Sequence, residues 1–144
     1  MSVISEKLRV ALYSKLTAAG VTAAGSTGAH YHRVPEGSVL PYIVFSRVAP
    51  GLQKKTLAFG NAIIEDDLWQ ISVFADEDSS TTKEPTQLAW DILNAAMTSI
   101  NTGITLTGAT VKYIAKQSDI PSLSELSNGR WIYQEGFNLR TQTE

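Results

Sequence analysis

The sequence predicts an α+β fold, and three observations carry that prediction. Apolar and polar residues alternate along runs in the middle and at the end of the chain, as in Leu68-Trp-Gln-Ile-Ser-Val-Phe-Ala-Asp76, which is the pattern of a half-buried strand. Two other stretches repeat apolar residues at helical spacing: Ile4, Leu8, Leu12 and Leu16 near the start, and Leu88, Ile92, Ala96 and Ile100 further on. The resulting order is helix, three strands, helix, then two or three more strands. It contains no repeating strand–helix–strand unit, so an antiparallel or mixed sheet with two helices packed on one face is expected.

Element by element, residues 2–19 form the first helix, with Ser2 or Ser5 as cap and Gly20 as its end. Residues 21–29 are small and loop-like, 30–34 form a short strand, and 35–38 supply turn chemistry. The first long strand covers 40–49, with Pro41 at its start, where a missing donor is tolerated. The second covers 68–76, with Trp69, Ile71 and Val73 on one face and Gln70, Ser72 and Asp76 on the other. The second helix begins after Thr82, with Pro85 in its first turn, and ends at Asn101-Thr-Gly103. Residues 104–106 and 109–116 read as strands around a Thr107-Gly108 turn, 119–129 as a connecting loop, and Trp131, Tyr133, Phe137 and Leu139 alternate along a final strand. The expected core is Trp69, Ile71, Val73, Leu88, Ile92, Trp131 and Phe137.

Bulk properties narrow the function. The 144 residues suit one domain, 1–144, with 43% hydrophobic and 18% charged content typical of a folded protein. A net charge of −2 gives no general attraction to nucleic acid, whose readers carry basic stripes. With no cysteine, disulfides and thiolate metal sites are excluded. The N-terminus lacks a signal-peptide pattern and no stretch reaches membrane-spanning length, so the chain is expected to remain in a cytoplasm.

No catalytic, metal or cofactor site is expected. His30 and His32 alternate around Tyr31 as two ligands could, but no third ligand is near, so they read as surface or interface histidines. The serines and threonines have no placed base, and Gly103, Gly108 and Gly129 are isolated rather than parts of a phosphate cradle. Trp90 lies off the apolar stripe of its helix and reads either as a subunit contact or as a core-edge residue. Several strands carry apolar residues on both faces, Ile43 and Phe45 on one and Tyr42, Val44 and Val48 on the other, which favours assembly.

The N-terminal helix with its small-residue loop, the short strand closed by Val34-Pro-Glu-Gly37, and then Leu40-Pro-Tyr-Ile-Val-Phe45 and Trp69-Gln-Ile-Ser-Val-Phe-Ala75 resemble the tail completion or tail terminator proteins of long-tailed (siphovirus-like) bacteriophages. The likeness spans most of the chain. It implies a structural virion role: a ring, usually hexameric, at the head-proximal end of the tail tube, which stops tube polymerisation and offers a surface to the head connector. The implied partners are further copies of the chain, the tail tube protein and a head completion or connector protein, with DNA only passing through the lumen and no membrane. The implied location is the neck of the virion after assembly in the host cytoplasm. A head-side completion protein, or a soluble adaptor or ligand-binding module without catalysis, are the alternatives.

Two segments acquire roles from this resemblance. The loop expected over 50–61 carries Leu52, Lys54, Lys55, Leu57 and Phe59, either as an arm to the tube or a neighbouring subunit, or as cover for the domain's own core. The acidic run Glu65, Asp66 and Asp67 reads as a solvated strand end, as a divalent-cation site, or as a lumen wall that keeps passing DNA from sticking.

Overall fold

A computed structural model describes residues 3–55 and 63–144. The elements are α1 (Val3–Leu16), α2 (Ala19–Ala23), β1 (Ala29–Tyr31), β2 (Tyr42–Lys55), β3 (Ile63–Asp76), α3 (Pro85–Asn101), β4 (Val111–Ser127) and β5 (Arg130–Thr143). The strands form one mixed five-stranded sheet in the order β1-β2-β3-β5-β4, with β1 parallel to β2 and every other pair antiparallel. The α+β expectation holds, with α2 as an addition: residues 19–23 make a further short helix where a loop was expected.

Periodicity explains the layering. On α1, Ser5, Leu8, Leu12 and Leu16 recur every three or four residues and are buried; on α3, Leu88, Ala89, Ile92, Leu93, Ala96 and Ile100 do the same. Pro85 opens α3, where its missing N–H costs nothing. Helix α3 lies over β3 and β5, while α1 packs on α3 and β1. Beneath them the sheet contributes Ile43, Phe45, Trp69, Ile71, Val73, Phe137 and Leu139, all buried. Trp131, expected in this core, is 44% exposed instead. It lies on the helix-facing side of β5 but just past Ile132, the last β5 residue that β3 pairs, so no layer covers it.

The C-terminal half departs most from the sequence reading. Where a loop was expected over 119–129, β4 runs on to Ser127 and turns at Asn128 and Gly129, with φ of 53° and 78°, the left-handed pair of a two-residue hairpin turn. The strand expected over 104–106 reduces to a single bridge, Leu106 to Ala109, around the Thr107-Gly108 turn. Strand β1 ends at Tyr31, so His32, at φ 65°, is not a strand neighbour of His30; His30 instead meets the Tyr42 ring edge-on at 5.6 Å.

Candidate assembly surfaces

The two long hairpins leave the sheet at opposite ends. The β2–β3 hairpin overshoots the end of β5 by the pairs Lys54↔Ile64 and Lys55↔Ile63, because β5 stops at Thr143, opposite Glu65. The β4–β5 hairpin overshoots the other end of β3 by Leu126↔Trp131 and Ser127↔Arg130, because β3 stops at Asp76, opposite Ile132.

The expected loop over 50–61 is therefore not a loop in its first half. Strand β2 continues through Lys55, with Leu52, Lys54 and Lys55 in register with Asp66, Ile64 and Ile63, because the alternation of β3 begins earlier than Leu68 and gives these residues a partner. Leu57 and Phe59 lie outside the described residues. Trp90 is 38% exposed on α3.

The acidic run is not a solvated strand end. Glu65 and Asp67 share the parity of Trp69, Ile71 and Val73, so both turn toward the helices and are buried; neither is placed to line a solvent channel in this chain. The Ser5 hydroxyl, in the first turn of α1, lies 3.0 Å from Asp67 Oδ2 and 3.4 Å from Glu65 Oε2. Arg47 Nη1 donates to Ser5 Oγ at 3.1 Å and stands 3.6 Å from Asp67 Oδ1. Burial pushes the Asp67 carboxyl above its ordinary value; the Ser5 hydrogen bond and the Arg47 charge pull the other way and are smaller. Asp66 has the opposite parity and pairs with Arg140 on β5 through Nε to Oδ1 at 2.9 Å and Nη2 to Oδ2. That pair holds the Arg140 guanidinium above its usual range. The run thus fastens α1, β2, β3 and β5 together at the root of the first hairpin. Among the described residues no group of three or more His, Asp or Glu is placed to hold a metal ion.

The sheet face away from the helices is mixed. Tyr42 and Phe74 meet at 5.8 Å, and Gln134 Nε2 donates to Ser72 Oγ at 3.1 Å. Tyr42 and Val44 are half-buried, and Val48, in the bulge between Arg47 and Ala49, is 51% exposed. Beside Phe74 a hollow of about 270 Å³ is lined by Leu123, Ile132 and Gln134. At the β4–β5 hairpin, Leu123 is exposed on this face, while Leu126 and its partner Trp131 are exposed on the helix-facing side beyond the end of β3. The sequence reading missed this hairpin by treating 119–129 as loop; the Asn128-Gly129 dipeptide was the signal that could have found it.

The molecule is a one-sided α+β sheet protein with a long hairpin at each end of the sheet and, at the β4–β5 hairpin, exposed apolar residues. No protein-family model matches the sequence, and no curated protein matches it. Among solved structures, the fold is similar to a chain of the virion of a native gene transfer agent (GTA) particle, with a TM-score of 0.62 and 15% identity over 99% of this chain and 99% of that one. At that identity the likeness is one of fold, and it extends over both chains from end to end.

Proposed function

We propose that this chain is a non-catalytic structural virion protein that closes into a homomeric ring on the head-proximal end of a tail tube, ends tube polymerisation and joins the tail to the head connector. The observation that carries the reading is the full-length fold likeness to a chain of a gene transfer agent virion, taken with the resemblance of the strand motifs to tail terminators. A ring subunit needs two different flanks that fit each other, since only head-to-tail contacts close into a cycle. This sheet has two different flanks, β2 with its short β1 neighbour on one side and β4 on the other. The β2–β3 hairpin, bearing Leu52, Lys54, Lys55, Leu57 and Phe59, is the arm that reaches the tube or the next subunit, and Trp90 is a further subunit contact.

Electron microscopy of the purified protein, alone and with tail tubes, tests this. Rings seated on one end of each tube, and tubes that stop growing once capped, are the expected result. A protein that stays monomeric or dimeric and leaves tubes uncapped would overturn the reading; one that binds only the head side would assign it to head completion instead.

A further inference from the structure

We propose that neighbouring copies join by extending the sheet: the outer edge of β4 over residues 111–118 pairs with the outer edge of β2 over residues 46–53 of the next copy. This deepens the ring reading and rests on it.

Three features of the sheet point to this pairing. The first is direction. Because β2–β3, β3–β5 and β5–β4 are all antiparallel, β2 and β4 run opposite ways at the two flanks. A copy set beside another in the same orientation therefore places β4 against β2 as an antiparallel pair, the more favourable ladder.

The second is level. Register carries Ser46 to Gln70, Asn138 and Ser118 across the sheet, and Gln53 to Glu65, Thr143 and Val111. The stretches 46–53 and 111–118 thus span the same rows of the same sheet at its two flanks, each interrupted by two register shifts.

The third is availability. Strand β1 pairs β2 only at Ile43, Val44 and Phe45, so among the described residues nothing pairs the outer edge of β2 beyond that point. Strand β4, of 17 residues, pairs β5 alone. Long unpaired edges carry rows of backbone donors and acceptors that recruit another strand. The lysines on β4, a common guard against such recruitment, are turned along their own chain: Lys116 Nζ is 2.8 Å from Asp119 Oδ1 and Lys112 Nζ is 3.4 Å from Glu144 Oε2. The occupant is a second copy because β4 and β2 are the two halves of one contact present on every chain. A β4–β4 contact would stop at a dimer and leave β2 open.

The chain has no cysteine, so introduced thiols are unambiguous. Ser46→Cys and Ser118→Cys sit on the same row and the same sheet face, and Ser118 is exposed. The two single variants are mixed, assembled on tube ends and treated with a short bismaleimide. The expected result is covalent dimer in the mixture and none in either variant alone. The Ser46→Cys/Ser118→Cys double variant should give a ladder of covalent oligomers. Dimer in the Ser118→Cys variant alone overturns the proposal in favour of a β4–β4 contact. Rings visible by electron microscopy without any cross-link overturn the edge pairing and leave the ring standing. No rings and no cross-link overturn both.

Discussion

Gly136 and Ile71 approach so closely across the β3–β5 pair that a β-carbon on Gly136 would stand 2.6 Å from the Ile71 carbonyl oxygen. Ile120 of β4 closes the same point from the other strand, its Cδ1 2.9 Å from that β-carbon position. Backbone cannot yield as a flexible side chain can, so overpacking is costly here. Gly136→Ala should destabilise the fold by about 1–3 kcal/mol, measured by urea unfolding; an unchanged midpoint would show that the strands part freely.

Ile92 is fully buried where α3 meets the sheet, whereas Trp131 is 44% exposed. Ile92→Ala should cost about 2–5 kcal/mol. Trp131→Ala should stay within about 0.5 kcal/mol as a surface change, despite removing the larger side chain. Equal losses for the two variants would place Trp131 in the core after all.

Asp67 gives the fold a pH dependence of defined sign. Its carboxyl titrates above the ordinary value of 3.8 because it is buried. The folded state therefore holds that proton more tightly than the unfolded chain. The group's contribution to stability is fully present below 3.8 and is lost as pH rises through the raised value. Asp67→Asn lacks the titration, so its stability relative to the natural protein should improve as pH is raised from 3.8 to neutrality. Unfolding titrations across that range check it, and a constant or opposite trend would refute the assignment.

Gln53 and Glu65 are direct partners, level with the last paired residue of β5, so the pairs Lys54↔Ile64 and Lys55↔Ile63 lie beyond the body of the sheet. Replacing residues 54–64 with Asn-Gly should make a tight hairpin and leave stability within about 0.5 kcal/mol, while tubes assembled with the shortened protein overgrow. Normal tube lengths would remove the hairpin from the capping contact, and unfolding would assign it to the core.

Gly129 holds φ 78° at the β4–β5 turn. Gly129→Ala should cost about 1–2 kcal/mol from the β-carbon clash in that left-handed conformation, read as a lower thermal midpoint. No loss would mean that the turn can change type.

The legible parts of the fold were those in which one face of an element is buried and the other is wet. The stripes of α1 and α3 and the alternation of Trp69, Ile71 and Val73 placed the core because burial imposes period on sequence. Strand β4 was illegible beyond Lys116 for the converse reason. As an edge strand, exposed over nearly all of residues 117–126, it has no face whose residues must be apolar, and its strand state comes from pairing with β5. The acidic run was misplaced by a boundary, not by chemistry. Extending the period of two upstream from Trp69 puts Asp67 and Glu65 inward, but charged residues on a core face are uncommon unless partnered, and Ser5 and Arg47 are too far away in sequence to announce themselves. Trp131 had the right parity but lay one residue beyond the shelter of β3.

The diagonal overshoot of the two hairpins bears on how a circle of such subunits would meet its surroundings. Copies standing side by side would put the Lys54↔Ile64 and Lys55↔Ile63 pairs of every β2–β3 hairpin on one rim and every β4–β5 tip, with Leu126, Trp131 and Arg130, on the other. The two rims would be chemically distinct, so turning the circle over would present the wrong one. Such a circle would seat only one way round, with its polarity written into the strand order of each subunit.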